Sequence, residues 1–134
     1  MKISTKGRYA LLIMMYLAKH YDENRYITLK EISEKEGISL KYLEKIITSI
    51  NKDNFLLSQR GSDGGYKLSS PPINYKIYDI ISKAEGEISV ATCVNSNFKC
   101  AKQNTCFSYK IWNDLNTLIK DFLENKTLDD YIKE

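Results

Sequence analysis

Three cysteines fall within one short polar stretch, "CVNSNFKCAKQNTC", spaced Cys93-x6-Cys100-x5-Cys106. Free cysteine ordinarily packs as a small hydrophobe, yet the neighbours here are Asn95, Ser96, Asn97, Lys99, Lys102, Gln103 and Asn104. Nearby lysines favour the thiolate, the form that binds metal or reacts with oxidants, and three thiolates on one loop can converge on a single centre. An odd count cannot pair completely into disulfides. The sequence also contains neither a spanning apolar run nor a cleavable leader pattern, which predicts a cytoplasmic, reducing setting. A closed zinc site is poorly supplied, because the only histidine, His20, lies far away in the sequence. A metal cluster and redox-active thiols both remain open as the chemistry of this loop.

The elements that position the loop come from the rest of the chain. With 134 residues, 43% hydrophobic and 28% charged, there is material for one ordinary globular core. Charge is uneven: residues 1–70 carry 12 Lys and Arg against 8 Asp and Glu, net +4, and residues 71–134 carry 8 against 9, net −1. The basic half is therefore the half to search for an anionic partner.

In "STKGRYALLIMMYLAKHY", Tyr9, Leu12, Ile13, Tyr16 and Leu17 recur at helical spacing and predict one buried face, widened by Leu11, Met14 and Met15. Thr28 with Glu31 forms a capping box that opens a second helix, and Gly37 suits the left-handed residue that ends it. Ser39 caps a third helix with inner face Leu40, Leu43, Ile46, Ile47 and Ile50, leaving Lys41, Tyr42, Glu44 and Lys45 toward solvent. Two short helices joined through "EGIS" make a helix-turn-helix, whose second helix reads the major groove of DNA. Then "FLLSQRGSDGGYKL" places two short strands around a turn at Gly61–Gly65, a β-hairpin wing with Arg60 at its start. Gly61, Gly64 and Gly65 allow positive φ and close backbone approach. The expected fold is mostly α with a small β-hairpin wing. A long C-terminal helix follows, with Ile111, Leu115, Leu118 and Phe122 in one stripe, and Trp112, Ile119 and Leu123 widening it. A helix apolar over so much of its surface predicts contact with another chain. No nucleophile-with-base spacing or phosphate loop is present, so an enzyme is not expected.

The stretches "MKISTKGRYAL", "ITLKEISEKEGISLKYLEKI", "RGSDGGYKL", "YDIISKAEG" and "IWNDLNTLIKDFLENKTLDDYI" resemble the IscR, NsrR and CymR group (Rrf family) of bacterial winged-helix regulators, over the whole chain. The resemblance implies a homodimeric transcriptional regulator, in the first instance a repressor, that binds a double-stranded, palindromic operator. It implies a winged helix-turn-helix over residues 1–72. Residues 73–134 then hold the cysteine loop and dimerisation helices, within one integrated domain. It assigns base and backbone contacts to Ser39, Lys41, Tyr42, Glu44 and Arg60, with Gly61, Gly64 and Gly65 shaping the wing. Lys2, Lys6 and Arg8 add phosphate contacts, as their charge suits. The dimer interface falls on Ile111, Trp112, Leu115, Leu118, Ile119 and Phe122.

The same resemblance makes Cys93, Cys100 and Cys106 ligands of an iron–sulphur cluster, 2Fe–2S favoured over 4Fe–4S, that purified protein can lack. This sequence departs from the pattern at the fourth ligand. IscR-type members place histidine three residues after the last cysteine, where this chain has Tyr109, and the acidic ligand of nitric-oxide-sensing members corresponds to a region that offers Arg8. Tyr109, a water, a small thiol or a carboxylate are the candidates. The CymR branch implies an alternative: a cofactor-free repressor of sulphur and cysteine metabolism, controlled by thiol redox or by a regulatory partner enzyme.

Overall fold

The computed structural model describes residues 2–133. The helix α1 (Thr5–Lys19) is followed by the helix-turn-helix pair α2 (Leu29–Glu36) and α3 (Leu40–Ile50), then the antiparallel hairpin β1 (Leu56–Gln59) and β2 (Gly65–Leu68). Next come α4 (Ile77–Glu85), an irregular segment holding the cysteines, the long α5 (Tyr109–Glu124) and the short α6 (Asp129–Ile132). This is a winged helix with a long C-terminal helix, as the sequence predicts. No helix among the described residues is long and apolar enough to cross a membrane.

Local chemistry sets the helix boundaries. The hydroxyls of Ser4, Thr28 and Ser39 accept from the backbone N–H groups of Gly7, Glu31 and Tyr42, so each of the first three helices has a side-chain N-cap. Gly37 ends α2 in the left-handed region at φ 67°, which fixes the tight entry into α3. Only half of the expected capping box forms: Thr28 caps Glu31, but the Glu31 carboxylate turns away to Arg25 and Tyr16.

The core is built from Ile13, Met14 and Leu17 of α1, Ile32 of α2, Leu43, Ile46 and Ile50 of α3, Ile80 of α4 and Leu128, all fully buried. Burial on this scale is worth about 2 kcal/mol per large side chain. On α1 the buried face is rotated from the expected one. Ala10, Ile13, Met14, Leu17 and Ala18 face inward, while Tyr9, Leu12 and Tyr16 are half-buried. The reason is the neighbours: α1 packs chiefly on α4 with the two alanines letting the backbones approach, while Tyr16 is held at the edge by its bond to Glu31 and Tyr9 by its contact with Tyr42. Leu40 was expected inside but is 41% exposed, because the first turn of α3 projects beyond the core.

The C-terminal end is stitched back to the base of α4. Ile77 N–H donates to the Lys126 carbonyl (2.9 Å) and Leu128 N–H to the Tyr75 carbonyl (3.0 Å). This anchors the end of α5 while its first three turns stand clear of the core; no residue of α5 is buried.

Candidate nucleic-acid interface and cysteine loop

On α3, Leu43, Ile46, Ile47 and Ile50 bind the helix to the core and thereby turn Ser39, Lys41, Glu44 and Lys45 outward. Tyr42 is half-buried instead of solvated, with its ring edge-on to Tyr9 at 5.7 Å between centroids. That contact joins the recognition helix to the first turns of α1, where Arg8 is exposed and Lys6 half-exposed; Lys2 is exposed just ahead of the helix.

The wing holds Arg60 and Gly61 at its exposed tip. Gly61 and Gly65 take the left-handed φ values of 103° and 133°, whereas Gly64 is buried against the backbone of Gln59 and Arg60. The two strands flank the glycine-rich turn as predicted, except that Gly65, expected in the turn, opens β2. One feature was not legible in the sequence: Ile27 pairs with Tyr66 through two backbone hydrogen bonds of 2.8 and 2.7 Å. This bridge fastens the wing to the residue just before the cap of α2. Buried Tyr75 adds a second anchor, its hydroxyl donating to the Phe55 carbonyl (2.6 Å) and accepting from Ser69 N–H (3.0 Å).

A polar network missed by the sequence reading braces the helix-turn-helix against α1. Arg25 donates to both carboxylate oxygens of Glu31 at 2.9 and 3.1 Å, and Tyr16 donates to Glu31 at 2.7 Å. Arg25 also pairs with Glu23 (2.8 Å), which contacts the ring of His20. His20 caps the end of α1 and stacks on Tyr16, so it lies well away from the cysteines in the sequence and is engaged elsewhere. The Arg25 hydrogen bonds hold the Glu31 carboxyl below its usual 4.5, against the effect of burial and with help from Tyr16. Burial first, and then the bond to Glu31, pushes the Tyr16 hydroxyl up to about 12.

Because the Glu31 value is depressed in the folded state, its stabilisation is present above the unfolded value and is lost as pH falls through the folded one. Urea unfolding should therefore show stability falling below roughly pH 4.5 in the wild type, with a shallower fall in Glu31→Gln. Equal slopes would mean that the pair contributes nothing.

The cysteine segment Thr92–Ser108 is a run of turns with one short 3₁₀ turn. Cys93 and Cys100 are half-buried, Cys106 is exposed, and all three are free thiols. The fold does not gather them: among the described residues, no three His, Cys, Asp or Glu side chains lie together at metal-binding reach. As a donor set the three fit a thiophilic metal or cluster. Tyr109 opens α5, half-buried, with its N–H toward the Cys106 carbonyl at 3.4 Å. The Cys106 thiol is lowered from its ordinary value first by the Ser108 hydroxyl, 3.4 Å away, then by backbone hydrogen bonds and Lys102. Exposure and a lowered thiol together favour reaction at Cys106. Limited iodoacetamide labelling followed by peptide mass spectrometry should find it modified first, and Ser108→Ala should slow that labelling; uniform labelling of the three would contradict this.

The apolar residues expected at an interface are solvent-facing on α5: Ile111 is 60% exposed, Leu118 67% and Phe122 54%, with Trp112 and Leu115 exposed and Ile119 half-exposed. The C-terminal end of this face, at Phe122 and Leu123, borders an apolar groove formed with Leu11, Met15, Ile77 and Ile81.

The chain is similar to known proteins along its whole length. The HTH-type transcriptional regulator IscR of Vibrio campbellii is 34% identical over 134 residues, covering 100% of this chain and 79% of the relative. Among solved structures, CymR, the global cysteine regulator of B. subtilis, superposes with a TM-score of 0.81 at 35% identity, covering 99% of this chain and 97% of that one. The T. potens IscR structure gives 0.78 at 32% identity, covering 99% and 87%. The family model Rrf2, described as an iron-dependent transcriptional regulator, matches residues 3–134. With a helix-turn-helix, a wing and a long C-terminal helix in the same order as these regulators, the chain belongs to the Rrf2 family of transcriptional regulators and is not an enzyme.

Proposed function

We propose that the chain is a homodimeric repressor that reads a two-fold symmetric operator and holds an iron–sulphur cluster on Cys93, Cys100 and Cys106 as its sensor. The observation that carries the DNA-reading part is the split of α3, apolar residues buried and Lys41, Glu44 and Lys45 exposed from a Ser39-capped start, together with the exposed Arg60 and Gly61 of the wing. Lys41 bonds guanine or phosphate, Glu44 accepts from a cytosine amine, and each good base contact discriminates by about 1–3 kcal/mol. Ser39 and Tyr42 set the helix on the backbone, Arg60 reaches phosphate or the minor groove from the wing, and Lys2, Lys6 and Arg8 add backbone contacts. Gly61, Gly64 and Gly65 let the wing approach closely. Two heads joined through Ile111, Trp112, Leu115, Leu118, Ile119 and Phe122 of α5 read half-sites about 34–36 Å, or a multiple, apart.

The sensor part rests on three thiols in a segment that has little regular structure to oppose rearrangement. When bound, a cluster supplies a redox-active, oxidant-sensitive centre. Cys93, Cys100 and Cys106 would be its protein ligands, with Tyr109 the candidate fourth. A cofactor-free repressor controlled by thiol redox or by a partner enzyme is the second reading, favoured by the similarity to CymR, the global cysteine regulator of B. subtilis.

Selection from random duplexes tests the DNA part: symmetric sites should be enriched, with affinity falling steeply as salt rises and Lys41→Ala weakening it. Salt-indifferent binding with no enriched sequence would refute it. Protein purified without oxygen decides between the two sensor readings. Visible charge-transfer bands with matching iron and sulphide, lost in cysteine variants, support the cluster; a colourless protein that resists reconstitution and still binds DNA supports the thiol reading.

A further inference from the structure

Two carboxylates at the end of α4 grip different parts of the molecule. Glu85, the last residue of the helix, accepts from both the N–H and the hydroxyl of Ser4, the residue that caps α1. The first turn of α1 has no acidic residue of its own, so Glu85 supplies the negative charge that a helix N-terminus favours. Gly7 leaves room for it: a β-carbon there would collide with the Glu85 carboxylate.

Two residues further on, Glu87 accepts from the Ser96 N–H at 2.6 Å and from the Ser96 hydroxyl. Ser96 lies between Cys93 and Cys100. The two hydrogen bonds to Ser96 hold the Glu87 carboxyl below its usual value, so it is charged at neutral pH. Gly86 separates the two glutamates at φ 91°, a conformation that glycine adopts without strain. One turn earlier, Lys83 pairs with Asp53 and lies over the Phe55 ring, between the exit of α3 and the start of the wing. The end of α4 thus touches the cysteine segment, the start of α1 and the exit of α3.

We propose that Glu85 and Glu87 are positioning residues that couple the arrangement of the cysteine loop to the start of α1, and through it to Lys2, Lys6 and Arg8. This rests on the reading of the loop as sensor and of the head as DNA reader. When the loop rearranges around Cys93 to Cys106, Ser96 moves with it and pulls on Glu87. Only Gly86 lies between the two glutamates, so a displacement of Glu87 passes along one residue of backbone to Glu85, which shifts against Ser4. The cap of α1 loosens, and its phosphate-facing basic residues lose their fixed placement.

The test is residue-level amide exchange by NMR on the full reduced chain, before and after alkylating Cys93, Cys100 and Cys106 with iodoacetamide. The amides of Ser4, Gly7 and Arg8 report, because each donates within the cap. In the wild type, alkylation should speed their exchange about fivefold, the scale of a lost helix cap. Glu87→Ala should abolish that response while leaving the α3 amides protected. Glu85→Gln should exchange fast at the outset and respond no further; if it folds poorly, Ser96→Ala, which removes one of the two bonds to Glu87, should exchange as the wild type at the outset and show a reduced response. An unresponsive wild type, or a full response retained in Glu87→Ala, overturns the coupling. A chain that passes this test yet binds no duplex DNA would sink the DNA-reading proposal and leave the coupling standing.

Discussion

Leu118→Lys should turn the protein into a monomer and lower its affinity for a symmetric operator about 100-fold or more, while a single half-site is bound as before. Leu118 is 67% exposed, so a lysine there creates no cavity and removes no packing within the chain. Helix content should stay close to that of the wild type. In a dimer the same residue would lie in the middle of an apolar seam formed with Ile111, Leu115 and Phe122, where a buried ammonium without a partner is costly. The loss at the operator follows from geometry: without a partner, the second half-site contact is no longer intramolecular. Sedimentation equilibrium read with fluorescence anisotropy on whole and half operators measures both effects. A variant that still sediments as a dimer would place the interface elsewhere.

Gly65→Ala should destabilise the chain by roughly 3 kcal/mol and cost DNA affinity as well. Two penalties act together. The φ of 133° at Gly65 lies in a region that a side-chain-bearing residue rarely adopts, and a β-carbon there would press on the Ile27 carbonyl and come within 2.8 Å of the Thr28 nitrogen. Those are backbone atoms of the bridge that ties the wing to α2, so they cannot swing aside. The wing either detaches from Ile27 or drags the Thr28 cap with it. In thermal unfolding the midpoint should fall by roughly 10 °C. By contrast, Gly61→Ala, at φ 103° with nothing within 4 Å of the new carbon, pays only the backbone conformational penalty and should cost less. Equal losses at the two glycines would mean that the Ile27 bridge adds nothing.

Much of the fold was legible because its signals are local. Ser39 before a run of apolar residues at helical spacing, Gly37 after α2, and the glycines flanking a hairpin each act within a few residues, and each was found where expected. The exposed stripe on α5 was equally readable, since Ile111, Leu115, Leu118 and Phe122 are more apolar surface than one small chain needs. What failed was anything that depends on a distant neighbour. The face of α1 is turned toward Ala10 and Ala18 because α4 lies against it, and no periodicity within α1 encodes that. Glu31 looked like the second half of a capping box, but Arg25 and Tyr16 compete for it and win by offering charged and buried hydrogen bonds.

The candidate site divides along the same line. By itself the sequence determined which side chains are available: basic residues on a capped recognition helix, an arginine at a glycine-rich wing, and three thiols in a polar loop. Residue type and short-range spacing suffice for that, because caps, turns and helix faces are set by neighbours along the chain. Only the tertiary structure decided how those groups are held. It tied the wing to α2 through Ile27 and Tyr66, set Tyr42 against Tyr9, half-buried Cys93 and Cys100 while leaving Cys106 exposed, and linked the cysteine loop to α1 through Glu87 and Glu85. Apart from Glu87 with Ser96, nine positions on, these contacts join residues tens of positions apart, and they form because burying the core brings those segments together, a constraint no local pattern carries.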